Sequence, residues 1–411
     1  MSRPHIADTP DMRQPAALLA HMRHTLAFYA PRATDASGGC FHFYKDDGTV
    51  YDRRTRHLVS STRFVFNHAL AWRWFGGPVA DVAHALKFVR EVHAQDNGGY
   101  AWLLDWPEGR AEVLDTAQHC YGLAFVLLAH AHAAEAGVPG AHAGIAETFE
   151  LMEQRFWQPQ HGLYADEADA DWRLTPYRGQ NANMHACEAM LASHASTGEA
   201  RYLARALQLA ESVTRRLAAR AEGLIWEHYK ADWTPDWDYN RHDKTNIFRP
   251  WGFQTGHLTE WAKLLLMLER RLGEHAPAWL LGTAKHLFDT AMARGWDARH
   301  GGLVYGFDPQ GEVCDGDKYF WVQAESLAAA AWLAVRSGDE DCWQWYERIW
   351  RYAWAHFVDH EHGAWYRILT PDNRKISDEK SPAGKTDYHT MGACQDVLAA
   401  LGVQPPAKER A

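Results

Sequence analysis

Apolar and polar positions along this chain fall into two helical patterns that alternate. In residues 63–75, 116–134, 183–197, 255–272, 322–337 and 389–401, a few polar residues open a run that is apolar on nearly every face. In residues 79–94, 140–156, 200–219, 277–294 and 341–358, apolar residues recur every three or four positions, and Arg, Lys and Glu fill the other face. Residues 18–29 supply a twelfth helix of the second kind. A helix that is apolar all round sits in a core, and one with a single apolar stripe lies over it. The alternation therefore predicts six buried helices enclosed by six amphipathic ones.

Between the helices a glycine followed by an aromatic or apolar residue returns six times. The instances are Gly39-Cys40-Phe41, Gly99-Tyr100, Gly162-Leu163-Tyr164, Gly223-Leu224-Ile225-Trp226, Gly302-Leu303-Val304-Tyr305 and Gly363-Ala364-Trp365, most of them about 60 residues apart. Acidic turns follow most of them, as at Asp46-Asp47-Gly48, Trp106-Pro107-Glu108-Gly109, Asp308-Pro309-Gln310-Gly311 and Thr370-Pro371-Asp372-Asn373. Short aromatic segments on either side of such turns predict small β-hairpins. Six helix pairs with hairpins between them predict an all-α fold: a closed (α/α)6 barrel, with short β-hairpins in the connecting loops at the active-site end. A closed ring needs no capping repeat, unlike an open helical array. No low-complexity linker interrupts the pattern, so residues 1–411 are expected to form one catalytic domain.

Composition narrows the class. The six cysteines are scattered without a CxxC pair, which predicts reduced thiols and not a disulfide framework or zinc site. A formal charge of −10 without a basic stripe argues against nucleic acid. No secretory pattern or bilayer-length apolar run stands out, so the expectation is a cytoplasmic protein that does not enter a membrane. The 20 Trp and 25 His are the departure from ordinary usage. Aromatics add core mass in any fold, but with this many imidazoles they also suit a site that stacks sugar rings and moves protons.

The starts of the buried helices carry the candidate chemistry. They read Ser61-Thr62-Arg63, Thr116-Ala117-Gln118-His119, Asn181-Ala182-Asn183-Met184-His185 with Glu188, Gly256-His257 with Glu260, Trp321-Val322-Gln323-Ala324-Glu325, and Asp387-Tyr388-His389. Buried ionisable groups are costly unless paired or functional, so six such starts gathered at one end of a barrel predict a polar pocket. Ser61 and Thr62 can be simple caps and His119 a core histidine. The spacing HxxE occurs at His185/Glu188 and at His257/Glu260. It suits either a two-histidine, two-carboxylate metal site or a pairing in which each Glu orients its own His. The second use is the simpler one, and no metal is expected. Phe248, Trp251 and Phe253 are candidates for a pocket wall.

Two imidazoles with polar anchors, and no Ser or Cys nucleophile motif, point to proton transfer next to a carbonyl. For an open-chain aldose, one histidine removes the C2 proton, the second shuttles protons on the other side, and an Arg or a neutral donor steadies the enediolate. Return of the proton to C1 yields a ketose, and return to the opposite face of C2 yields the epimer. An (α/α)6 glycoside hydrolase working through Glu188, Glu260 and Glu325 is the alternative from another class, but it leaves the three histidines without a role.

These pieces resemble the N-acylglucosamine 2-epimerase superfamily over nearly the whole chain, and within it the mannose isomerase and sulfoquinovose isomerase branch. The resemblance implies an aldose–ketose isomerase acting on D-mannose and D-fructose without a cofactor, or alternatively a sugar 2-epimerase or a sulfoquinovose isomerase. It implies His389 as the base at C2, His257 as the partner acid/base with Glu260 beside it, and Arg63 as the group that polarises the C1 and C2 oxygens. His185, Asn181, Trp321, Glu325 and Glu188 are implied around the substrate. Lys385, four residues before His389, stands where a substrate contact is expected, and a free ammonium there would favour an anionic sugar. The expected partner is a monosaccharide, with the protein a monomer or homodimer.

Overall fold

The computed structural model describes residues 8–107, 109–243, 246 and 249–407. Among these residues twelve α-helices alternate between two concentric rings. The inner ring consists of α2 (Leu58–Phe75), α4 (Cys120–Glu135), α6 (Asn181–Thr197), α8 (Thr255–Leu272), α10 (Phe320–Ser337) and α12 (Tyr388–Ala400). The outer helices are α1 (Pro15–Tyr29), α3 (Val79–Phe88), α5 (Ala141–Arg155), α7 (Ala200–Glu211), α9 (Trp279–Gly295) and α11 (Glu340–His356). Each inner helix packs on the next, and α12 packs on α2, so the ring closes as an (α/α)6 barrel.

Burial follows the pattern in the sequence. In α10 every residue from Phe320 to Ala334 is buried except Trp321. Runs of alanine there, Ala328–Ala331, let neighbouring helices approach closely on all sides. In α7 only Tyr202, Ala206, Leu209 and Ala210 are buried, the single stripe expected of an outer helix. Among the described residues no helix is long and apolar enough to cross a membrane. All six cysteines are free thiols.

The hairpins join the repeats at one end. The strand before each inner helix pairs antiparallel with a strand of the following repeat: Thr55–His57 with Leu103–Asp105, Gln118–His119 with Glu167–Ala168, and Arg178–Gly179 with His228–Tyr229. Phe253–Gln254 pairs with Gly306–Phe307, and Lys318–Tyr319 with Ile368–Leu369. The last pair, Glu379–Ser381 with Phe43–Lys45, ties the sixth repeat to the first. These pairs fix the entry of every inner helix relative to its neighbour.

Two inner helices begin elsewhere than the apolar runs suggest. α2 starts at Leu58, because the His57 imidazole accepts a hydrogen bond from the Val59 amide and caps the helix there. Arg63 consequently lies in the second turn. Ser61 and Thr62 are not caps: Ser61 Oγ meets His93 Nε2 at 2.9 Å, and Thr62 Oγ1 donates to the Leu58 carbonyl. α4 starts only at Cys120, since Gln118 and His119 are held in a strand pair.

Candidate active site

A cavity opens at the hairpin end of the inner ring. The inner helices supply Arg63, Tyr121, Asn181, His185, His257, Glu260, Trp321 and His389 to its wall. Pro250, Tyr305, Tyr319, Phe320, Arg367 and the segment Pro382–Lys385 complete it. Its converging polar groups suit a small ligand.

His389 stands in the first turn of α12, buried, with Nδ1 2.7 Å from Glu325 Oε1. Arg63 Nη2 lies 3.3 Å from His389 Nε2. The carboxylate therefore accepts a hydrogen bond from Nδ1–H, and Nε2 is left with its lone pair. Burial, together with the charge of Arg63, outweighs the Glu325 bond and brings the His389 pKa down to about 4. The imidazole is neutral near pH 7, as a general base must be. Glu325 in turn is held by Lys263 Nζ at 2.6 Å. Burial alone would raise its pKa, but Lys263 and His389 bring it to about 2.

His257 has a different carboxylate from the one its spacing suggests. Its Nδ1 donates to Glu227 Oε1 at 2.9 Å. Glu227 Oε2 accepts from Gln180 Nε2 at 3.0 Å, and Gln180 Oε1 accepts from Trp261 Nε1 at 2.7 Å. Glu260 does not touch His257; its Oε1 lies 3.8 Å from His185 Nδ1 on the neighbouring inner helix. His185 does pair with its own Glu188, at 2.9 Å. The Trp321 indole lies beside two of the three cavity imidazoles, its centroid 5.0 Å from His257 and 5.8 Å from His389. Gly256 makes room for it: a Cβ at Gly256 would stand 2.3 Å from Trp321 Cζ3.

Several expected substrate contacts are placed otherwise. Glu188 and Glu325 stand behind the wall as the partners of His185 and His389, and Glu188 also accepts from the Tyr388 hydroxyl. Lys385 borders the cavity, but its ammonium is turned onto Asp387 Oδ2 and the Trp365 carbonyl. That leaves no free cation at this position. Its work is local: Thr386 and Asp387 are both in left-handed backbone, with φ of 44° and 53°. Lys385, Tyr29 and Thr390 all bond the Asp387 carboxylate and hold the start of α12. Trp251 and Phe253 lie away from the cavity, Phe253 stacked on Phe307 and Trp251 bonded to the Trp237 carbonyl. Phe248 lies outside the described residues. His119 faces a side cavity with Trp102, Asp166 and Arg249, and Asn181 borders both spaces.

Glu227, Gln180, Lys263, Tyr305 and Arg367 were not picked out by the sequence. Lys263 alone left a signal, as a lysine inside the apolar run Trp261-Ala262-Lys263-Leu264-Leu265. Among the described residues, two sets of possible metal ligands share Glu260: His185, Glu188 and Glu260, and Glu260, Glu325 and His389, with ligand atoms of each set within 4.8 Å. In both sets the histidine Nδ1 is already the hydrogen-bond donor to a carboxylate of the set.

The model of the N-acylglucosamine 2-epimerase family matches residues 39–393. The D-mannose isomerase of Marinomonas mediterranea is 50% identical over 390 residues, covering 93% of this chain and 97% of that protein. The D-mannose isomerase of Pseudomonas cannabina pv. alisalensis is 38% identical over 368 residues, covering 88% and 87%. A crystal structure of a D-mannose isomerase superposes with a TM-score of 0.92 at 49% identity, covering 95% of this chain and 99% of that one.

Proposed function

This chain belongs to the N-acylglucosamine 2-epimerase family, and we propose that it is an aldose–ketose isomerase that interconverts D-mannose and D-fructose. The observation that carries the reading is the pair of carboxylate-backed imidazoles, His389–Glu325 and His257–Glu227, that both adjoin Trp321 in one cavity. The similarity to D-mannose isomerases over nearly the full chain supports the choice of sugar.

The chemistry follows from the donors. His257 takes the anomeric hydroxyl proton and gives one to the ring oxygen, which opens the hemiacetal. The neutral Nε2 of His389 removes the C2 proton, and the pair of electrons left behind forms the enediolate. The Arg63 guanidinium, 3.3 Å from that nitrogen, is placed to steady the charge that develops on the adjacent oxygens. Transfer of the hydroxyl proton from O2 to O1, with return of the proton from His389 to C1, completes the ketose. Trp321 provides a face for the sugar, and Asn181 and His185 provide hydrogen bonds. The occupied ammonium of Lys385 favours a neutral sugar over a sulfonated one. The same reading takes the chain as one catalytic unit, a monomer or homodimer in the cytoplasm, acting without a cofactor.

Incubation with D-mannose in deuterated water, followed by NMR, tests this. The expected product is fructose carrying deuterium at C1. Deuterated glucose as the sole product would make the protein a 2-epimerase instead. His389→Ala is expected to abolish exchange at C2 with the fold intact.

A further inference from the structure

Glu260 holds neither His257 nor His389, whose Nδ1 atoms are bonded to Glu227 and Glu325, and its Oε1 stands 3.8 Å from His185 Nδ1. It borders the cavity and is almost fully buried, and its Oε2 has no hydrogen-bond partner. Its carboxyl group stands between two others. An oxygen of Glu188 lies within 4.8 Å on one side and an oxygen of Glu325 within 4.8 Å on the other. Each of those two has cationic or hydrogen-bonding partners of its own: Glu188 has His185 and Tyr388, and Glu325 has His389 and Lys263. Lys263 is shared further with Asp396 at 2.9 Å. Three carboxylates this close in a buried site disfavour full ionisation, and the one whose Oε2 has no hydrogen-bond partner is the one that keeps its proton.

We infer that Glu260 is a neutral carboxylic acid that carries the hydroxyl proton between O2 and O1 of the open-chain sugar. The inference rests on the isomerase reading above. Conversion of an aldose to a ketose moves two protons, one between carbons and one between oxygens. His389 accounts for the first, and the second needs a group that can both give and take a proton. As His389 removes the C2 proton, the C2–H pair becomes the C1=C2 bond. The C1=O1 π pair then takes the proton from Glu260 Oε2, leaving the enediol and a carboxylate. That carboxylate takes the O2 proton, and the O2–H pair becomes C2=O2. The C1=C2 pair collects the proton from His389. Glu260 and His389 both end as they began.

The direction of the Glu260 pKa agrees with this state. Burial and the neighbouring Glu325 and Glu188 charges raise it well above the usual carboxyl range, and Lys263 and Arg63 offset only part of the effect.

Two measurements test the inference. The first is the infrared difference between the wild type and Glu260→Gln at pH 7, without substrate. It is expected to contain the C=O stretch of a protonated acid, because other protonated carboxyls cancel in the difference. A carboxylate band in its place would overturn the inference. The second compares solvent exchange at C2 of mannose with net fructose formation. Glutamine keeps an N–H donor for O1 but cannot release a proton. Glu260→Gln is therefore expected to retain C2 exchange within about tenfold and to lose fructose formation by about 10²-fold or more. Equal losses in both rates, as a purely structural role gives, or no loss in either, would overturn it. If the wild type leaves mannose untouched, the isomerase reading fails. The infrared result still decides whether Glu260 holds a proton.

Discussion

Replacing Glu227 with glutamine isolates the contact that the HxxE spacing did not foresee. Glu227 is 3% exposed, and its Oε1 accepts the Nδ1 proton of His257 at 2.9 Å. Glu227→Gln keeps the volume and one carbonyl acceptor but removes the charge. A hydrogen bond to an ionised group contributes about 1.5–3 kcal/mol. If that stabilisation operates when His257 becomes an imidazolium, the barrier rises by the same amount, and each 1.36 kcal/mol is about tenfold in rate. The expected result is a kcat for mannose-to-fructose conversion about 10- to 150-fold lower, with KM changed little. Gln180, which donates to Glu227 Oε2, finds an acceptor in the new amide only if that amide turns its oxygen away from His257. In that case the NH2 group faces Nδ1 and the tautomer of His257 reverses, which is readable by NMR of 15N-labelled histidine. The double variant with His257→Asn separates positioning from general damage. Glu227→Gln is expected to add no further loss there, because its effect passes through His257. A single-variant kcat within threefold of wild type, or an undiminished loss in the His257→Asn background, would refute the assignment of Glu227 as the positioning residue.

Lys263→Met strips the buried cation from Glu325 and Asp396, and is expected to cost about 3–5 kcal/mol in chemical denaturation, since it leaves buried charge unpaired; an unchanged midpoint would contradict the pairing. The acid limb of kcat/KM is expected near pH 4 and not near 6.5, because His389 stays neutral down to its lowered pKa of about 4. Its contribution to folding has the matching sign: present above pH 6.5 and lost as pH falls toward about 4, so rates must be scaled to the folded fraction from circular dichroism. A limb centred at 6.5 would show that burial and Arg63 do not depress this group. Gly256→Ala puts a Cβ 2.3 Å from Trp321 Cζ3, and a rigid indole cannot yield at its tip, so kcat/KM for mannose is expected to fall at least about tenfold; unchanged kinetics would remove Trp321 from the substrate wall.

The barrel was legible because its cause is repeated six times. Burial on every face of α10 and on one stripe of α7 is written directly into their apolar patterns. The site was legible where a residue's position on its helix decides where it points, as for His389, His257, Arg63 and Trp321, which all reach the cavity. It was not legible where a second repeat decides. His185/Glu188 and His257/Glu260 have the same three-residue spacing, and helical geometry allows both pairs to meet. Only the first does. The strand pair Arg178–Gly179 with His228–Tyr229 brings Glu227 and Gln180 beside the start of α8, and Glu227 takes the Nδ1 of His257 first. Thirty residues separate the two in sequence, and no periodicity links them. Glu260, one turn deeper and released from His257, then falls among the carboxyl groups of α6 and α10. The capture of His257 by Glu227 is thus what frees Glu260 for a separate role. Such competition between a local partner and a cross-repeat partner depends on distances that only the closed ring creates.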